Sequence, residues 1–396
     1  MVVGARQTGK STLVTSFAEA DRWGGGYYVS FDDASLVAAA RADPHGLIGE
    51  LSSLPTAILD EVQRVPEVFI PIKAAVDRDR RPGQFLLTGS ANPLFIPDAA
   101  GALAGRMEVL TLWPFSWAEV EGDSDFCIAR LLLDPDSRIP RPSPIDRADL
   151  VAHVVRGGFP EAFAREDDER RGRWFASYLT TILERDVRSL ADIARLEKLP
   201  AVLTAVALRS RGALNKSGLS QDVGIPGSSF DRYLTLLERV FLVRRLPAWH
   251  NSLGPRLVKA PKLLLCDSGL LCHLMLWEKD RLLSDPTSFG LALEAFVGME
   301  LVKAADADAG AHVMHYRTSK GSEVDFVLEA GDGRVAAIEV KASSSVDASD
   351  FRRFAGLREL LKDRFVRGVV LYAGDRIVPF GEGLAAWPVS ILRGPS

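Results

Sequence analysis

The stretch Met1–Val14, MVVGARQTGKSTLV, decides how the N-terminal part of this sequence is read. Gly4-Ala5-Arg6-Gln7-Thr8-Gly9-Lys10-Ser11 satisfies G-x-x-x-x-G-K-[ST] without a mismatch. Each feature of that spacing has a chemical reason. Gly4 and Gly9 let the backbone curl so that successive N–H groups point inward at a β-phosphate. Lys10 reaches the β- and γ-phosphates, and Ser11 offers its hydroxyl to Mg²⁺. The apolar residues Met1–Val3 read as the end of a strand. Ser11–Ala20 reads as a helix whose N-terminus faces the anion. The expected nucleotide-binding set is therefore Gly4, Ala5, Arg6, Gln7, Thr8, Gly9, Lys10, Ser11 and Thr12, and the expected ligand is ATP with Mg²⁺.

A second stretch supports the first. Thr56–Leu59 is a short apolar run that ends in Asp60-Glu61, the Walker B pattern. Asp60 is expected to hold Mg²⁺ with Ser11, and Glu61 to orient and polarise the attacking water. Gln84–Thr88 reads as a further strand with polar Thr88 and Ser90 at its end. Thr88 or Ser90 there either contacts the γ-phosphate or the water, as a sensor, or merely caps the strand. Arg106 precedes an apolar run, Met107–Leu112. Its guanidinium either reaches a phosphate, in its own chain or from a neighbouring subunit, or makes a surface salt bridge. The catalytic candidates are Lys10, Glu61, Ser90 and Arg106. A strand before such a loop usually has about five residues, and the sequence supplies three, with no helical lead-in. It therefore reads as shortened at its N-terminus.

Composition bounds the rest. The 396 residues are 47% hydrophobic and 25% charged, the profile of an ordinary globular chain of two to four domains. A net charge of −4 argues against a bulk polyanion binder. No apolar run reaches membrane-spanning length, and Cys127, Cys266 and Cys272 form no CxxC pair. A cytoplasmic protein without membrane association is expected. His312 and His315 fall on opposite faces of an expected strand and read as structural.

Before Val120, apolar strands alternate with helical patterns, which predicts a parallel, doubly wound α/β sheet. Leu131–Leu150 carries four prolines and several charges and reads as a linker. Beyond it, Trp174, Tyr178, Ile182 and Leu183 form a helical core stripe, and the charges of Leu183–Val187 read as a solvated helix end. Ser217–Val223, a turn at Gly224-Ile225-Pro226, Ser228–Val240, and strands Phe241–Leu246 and Lys262–Leu265 follow in the winged-helix order. The second of those helices exposes Asp231, Arg232, Glu238 and Arg239. That balanced set lacks the basic stripe of a DNA reader, so DNA, a packing partner and nucleotide sensing all remain open roles.

A second acidic constellation lies near the C-terminus. Glu323–Glu329, a Gly-Asp-Gly turn and Val335–Ala342 read as a hairpin. Strand alternation puts Glu339 and Lys341 on one face, and Asp325 can share it. Glu294 lies on an upstream apolar helix. Two carboxylates of this kind can hold Mg²⁺ against a phosphodiester, with Lys341 steadying the water. A cross-strand ion-pair face gives the same residues without chemistry.

Taken in order, GARQTGKS, LDEVQ, LLTGS, LAGR, PFSWAE, GGFPEA, LERDV, the helix–turn–helix, KLLLCDSGLL and EVDFV…IEVKAS resemble one family. It comprises prokaryotic AAA+-like P-loop ATP-binding proteins with a winged helix and a C-terminal domain of unknown function resembling the PD-(D/E)xK nuclease fold. The resemblance implies a P-loop ATPase core over 1–122, a linker and helical segment over 123–195, a winged helix over 196–280 and a restriction-endonuclease-like α/β domain over 281–396. It assigns nuclease-like positions to Glu294, Asp325, Glu339 and Lys341. It implies Mg²⁺-dependent ATP hydrolysis coupled to an output domain. The alternative is an ATP-gated switch, binding DNA or protein, whose nuclease fold is inactive. A homo-oligomer working as a ring would use Arg106 in trans.

Overall fold

The computed structural model describes residues 1–19, 26–90, 101–123, 125–187, 196–209, 212–252, 256, 259–307, 310–318 and 321–395. The chain divides into two compact units, Met1–Trp113 with Arg239–Phe241, and Pro114–Glu238 with Leu242–Ser396. The first unit ends at Trp113, a little short of the expected core boundary at 122. The divisions expected at 195/196 and 280/281 fall inside the second unit.

In the first unit, short apolar runs become strands because both of their faces are buried. Ala57, Ile58 and Leu59 are at most 1% exposed, the signature of a strand in a covered parallel sheet. The strands are β1 Val2–Val3, β2 Gly26–Ser30, β3 Thr56–Asp60, β4 Phe85–Gly89 and β5 Leu110–Thr111. All pair in parallel, in the order β2-β3-β4-β1-β5. Helices Lys10–Glu19, Ala34–Ala42, Pro44–Leu51 and Phe69–Arg78 lie in the connections between the strands. Asp43 starts the third of these helices by accepting the Gly46 N–H, with Pro44 in the first turn. The P-loop helix is found at Lys10–Glu19; Ala20, expected to end it, lies outside the described residues. The strand order has one consequence for the site. Because β4 lies between β1 and β3, its polar end separates the loop after β1 from the acid pair after β3.

In the second unit, the expected linker is partly helical. Ile128–Leu133 forms a helix because Ile128, Leu131, Leu132 and Leu133 all bury their side chains. A second helix, Arg147–Arg156, starts at the Asp146 cap, so only the stretch between them is irregular. Trp174 and Tyr178 stack at 5.1 Å, and Tyr178, Ile182 and Leu183 are buried, as a core stripe should be. The helix continues into a π-turn at Ile182–Asp186; the side chains of Arg185 and Asp186 lie outside what is described.

Helix Leu199–Leu208 is followed by Lys216–Val223, a left-handed Gly224 at φ 69°, and Gly227–Arg239. Strands β6 Val243–Leu246 and β7 Lys262–Leu265 then pair antiparallel. Ala213 bridges to Lys262.

Helix Pro286–Ala307 leads into a six-stranded sheet. Its strands are β8 Ala311–Arg317, β9 Glu323–Ala330, β10 Val335–Lys341, β11 Phe365–Tyr372, β12 Val378–Pro379 and β13 Leu384–Pro388, in the order β12-β13-β11-β10-β9-β8. Strands β8, β9 and β10 run antiparallel, whereas β11 joins β10 in parallel through helix Ala355–Leu361. Helix Pro286–Ala307 buries residues around its whole circumference, including Phe289, Leu293, Phe296 and Val297, as a helix apolar on every side must. His312 is exposed and His315 buried, with Nε2 3.1 Å from the Ala260 carbonyl oxygen. No helix among the described residues is long and apolar enough to cross a membrane.

Candidate functional site

The loop between β1 and its helix has the backbone that its glycines were expected to allow. Gly4 has φ 151°, Gln7 63° and Gly9 91°, so amides on either side of Gln7 can face one point. A Cβ at Gly4 would stand 2.1 Å from the Leu112 carbonyl oxygen, which excludes any other residue while β5 is in place. Gly9 is needed for its φ alone, since nothing lies within 4 Å of where a Cβ would be. Lys10, only 5% exposed, folds back into the loop. Its Nζ donates to the carbonyls of Gly4 at 3.0 Å and Ala5 at 2.7 Å. Thr8 Oγ1 donates to the same Ala5 oxygen at 3.0 Å. Ser11 and Thr12, in the first helical turn, are exposed.

The acid pair is held by residues of β2 and β4, by Ser90 just beyond β4 and by Gln63 in the turn after β3. Asp60 is 2% exposed. Thr88 Oγ1 donates to its Oδ1, and the Tyr28 hydroxyl donates to its Oδ2 at 2.7 Å. Burial, reinforced by that bond to Asp60, pushes the Tyr28 hydroxyl up to about 12. Glu61 has the left-handed angles φ 58°, ψ 43°, uncommon for a residue with a Cβ. Its N–H donates to Thr88 Oγ1 at 3.0 Å. Its Oε2 accepts from Gln63 Nε2 and lies 3.4 Å from Ser90 Oγ; the same Nε2 donates to Ser90 at 3.0 Å.

The fold therefore joins Asp60, Glu61 and Ser90 into one network at the polar end of β3 and β4, beside the strand that carries the loop. Ser11 and Asp60 offer oxygen only, which suits Mg²⁺. Sequence reasoning named Thr88 beside Ser90 as a polar end of its strand, and missed Tyr28 and Gln63. Tyr28 gave no signal, because its role depends on β2 lying beside β3.

Arg106 makes the salt bridge that stood as the alternative to a phosphate contact. It precedes β5 and so stands at the N-terminal end of the sheet, whereas the loop follows the C-terminal end of β1. Its guanidinium grips Asp77 through Nε at 2.7 Å and Nη2 at 3.0 Å. That contact holds the Asp77 carboxyl below its usual range. A phosphate contact within its own chain does not fit this placement.

The C-terminal residues do come together. Glu294, Asp325, Glu339 and Lys341 line one cavity of about 420 Å³, with Ser349, Asp350 and Arg353. Strand alternation and the β9–β10 pairing bring the last three of the four there, and helix Pro286–Ala307 brings the first. Each is already engaged. The Lys262 ammonium, from β7, sits 2.5 Å from Glu294 Oε1 and 3.4 Å from the Asp325 carbonyl oxygen. Asp325 Oδ2 accepts the Val340 N–H at 2.9 Å. Lys341 pairs with Asp350 at 2.5 Å, and Arg353 with Glu339 Oε2 at 3.2 Å. Among the described residues, no group of three or more His, Cys, Asp or Glu is placed to hold a metal ion. The expected Mg²⁺ does not fit this arrangement, because cationic side chains already stand on Glu294 and Glu339.

Burial, and then the charge of Asp325, pushes Glu339 up to about 9, against the opposing pull of Arg353. The shift makes stability pH-dependent. The folded form keeps the proton while the unfolded form has lost it, so the contribution is full below the ordinary glutamate range and drains away as pH rises toward 9. The wild-type chain should lose stability between about pH 6 and about pH 8.5, with a slope of at most about 1.4 kcal/mol per pH unit. Glu339→Gln should flatten that slope in urea titrations; an unchanged slope would show that Glu339 is not the group responsible.

On helix Gly227–Arg239 the charges are largely spoken for. Lys216 pairs with Asp231, and Arg245 with Glu238 at 3.1 Å. Arg232 is exposed. The face has no basic stripe, which weakens the DNA-reading role.

Comparison with known proteins agrees with the first unit and is silent on chemistry in the second. Residues 1–121 match the model of the AAA domain. Residues 147–281 match a domain of unknown function, DUF8612, and residues 289–392 another, DUF4143. Two curated relatives, from Mycobacterium tuberculosis and Mycobacterium bovis, are each 29% identical over 390 residues, 98% of this chain and 79% of theirs; both are called uncharacterized proteins.

Proposed function

We propose that the chain binds ATP with Mg²⁺ at the Gly4–Thr12 loop and hydrolyses it, and that the second unit is the output of that cycle. One observation carries the reading: Asp60 and Glu61 are fixed by Thr88, Ser90, Tyr28 and Gln63 at the end of the sheet where the lysine of the loop is buried. The match of residues 1–121 to an AAA domain supports nucleotide binding independently.

The residues divide the chemistry. The Lys10 ammonium exchanges the Gly4 and Ala5 carbonyls for phosphate oxygens. The loop amides, which open the helix, add donors to the anion. Ser11 and Asp60 would hold Mg²⁺, which neutralises charge on the β- and γ-phosphates. Glu61 orients the attacking water.

For the second unit, the order helix, turn, helix, antiparallel hairpin supports a winged-helix reading. The order helix, three antiparallel strands, helix, parallel strand supports a nuclease-like one. The cationic partners of Glu294 and Glu339 favour the form of that reading in which the fold does not cut. We therefore read it as a binding module, for protein or DNA, that responds to the nucleotide. An oligomer using Arg106 in trans would require it to release Asp77.

The test is ATP turnover by the purified full chain, with and without duplex DNA, beside a plasmid-nicking assay in Mg²⁺ or Mn²⁺. Turnover without nicking is expected. Calorimetry showing no uptake of ATP with Mg²⁺ would sink the nucleotide reading. Metal-dependent nicking lost in Lys341→Ala would restore the nuclease.

A further inference from the structure

We infer that Gln63 is a positioning residue for ATP hydrolysis, holding Glu61 with its amide nitrogen and the attacking water with its amide oxygen. The inference rests on the hydrolysis reading above and extends it to a residue just beyond the Asp60-Glu61 pair, given no role so far.

Chain geometry brings Gln63 there. Directly after β3 the backbone makes a 3₁₀ turn, Val62–Arg64, closed by the Arg64 N–H on the Glu61 carbonyl at 3.1 Å. Val62 is fully buried and anchors the turn. The side chain of Gln63 then lies beside that of Glu61, two residues earlier.

The chemistry of the contact fixes which way round the amide lies. A carboxylate can only accept, so the NH₂ group must face Glu61. It donates to Glu61 Oε2 and to Ser90 Oγ at 3.0 Å, and Ser90 Oγ is 3.4 Å from the same Oε2. The three side chains close a triangle. This leaves Oε1 of Gln63 turned elsewhere. It is buried and has no hydrogen-bond partner among the described residues. Leaving such an acceptor unmet is unfavourable, so a fold that keeps one at a reaction centre points to a donor that arrives with the reaction. The donor we assign is the attacking water, with one O–H on the Glu61 carboxylate and the other on Gln63 Oε1, reached once the site closes on its ligand.

In the step itself the water oxygen bonds to the γ-phosphorus. The bond from that phosphorus to the β–γ bridging oxygen breaks, and its electron pair leaves with ADP. The water proton passes to Glu61 and later returns to solvent. Gln63 exchanges no proton; it sets the angle of approach.

The experiment compares Gln63→Ala and Gln63→Met with wild type in steady-state ATP turnover by the full chain with Mg²⁺. Methionine keeps the length of the side chain, so it stands in if alanine disturbs the turn, as judged by circular dichroism. Expected is a kcat lower by about tenfold to a hundredfold, with KM for ATP within about threefold. A residue that merely braces the turn would change stability and leave kcat alone. Wild-type kcat in the folded methionine variant overturns the inference, as does a loss confined to KM. A wild-type chain that binds ATP without turning it over fails earlier, at the hydrolysis reading, and takes this inference with it.

Discussion

Lys10→Ala should lower the affinity for ATP with Mg²⁺ by at least about a hundredfold, roughly 2.7 kcal/mol, and abolish turnover, while the chain stays folded. Two effects compete in this variant. The ammonium is buried and bonded to the Gly4 and Ala5 carbonyls, so its removal strands the Gly4 acceptor inside the loop, while the Ala5 oxygen keeps the Thr8 hydroxyl. That cost is about 1–3 kcal/mol at most, and solvent entering the space left by the side chain reduces it. Against a typical domain stability of about 5–15 kcal/mol, the fold survives with a lower melting temperature. Binding has no comparable reserve. The phosphates lose a charge-assisted donor held in a buried position. Lys10 thus serves the loop's own packing as well as the ligand, a small stability role that the sequence alone did not reveal. Calorimetry and thermal melts on the same preparation separate the two. Wild-type affinity in a folded Lys10→Ala chain would mean that the loop does not bind phosphate.

The parts of this site that were legible in sequence are those in which a local spacing encodes a local geometry. Gly4 and Gly9 announce backbone angles, Asp60-Glu61 marks the end of an apolar run, and the alternation of Val335–Lys341 puts Glu339 and Lys341 on one face. The parts that were not legible depend on which strands are neighbours. Thr88 reaches Asp60 only because β4 lies between β1 and β3, and Tyr28 only because β2 borders β3. Arg106 shows the same limit in reverse. Its position before an apolar strand was correct, but the end of the sheet on which it falls is a property of the parallel topology. The stretch Leu131–Leu150 misled because its prolines outweighed a run of leucines that tertiary packing turns into a helix. The cationic partners of the C-terminal acids come from β7 and from beyond β10, too far along the chain for any motif to join them.

Lys262→Met should destabilise the second unit by about 3–4 kcal/mol at neutral pH, and adding Glu294→Leu should recover most of that loss. Lys262 and Glu294 have side chains only 1% and 10% exposed, with 2.5 Å between their charged atoms. The ammonium also lies 4.4 Å from the centre of the Phe326 ring. Burying two charges in this way gains little over an apolar pair, because desolvation offsets the attraction. Removing one partner is different, since the other carboxylate keeps its desolvation and loses its ammonium. Protonation sets a ceiling on that penalty. Raising a glutamate from its ordinary value near 4.3 until it is neutral at pH 7 costs about 3–4 kcal/mol, and beyond that the group simply takes up a proton. The sign follows: in the single variant a proton replaces the ammonium, so its deficit against wild type should shrink as pH falls toward about 5. The double variant has no such carboxyl and should show no such dependence. Urea titrations at the two pH values measure both terms. A single variant as stable as wild type, or a double variant no better than the single, would show that Lys262 does not neutralise this pocket, and would reopen it to a metal ion.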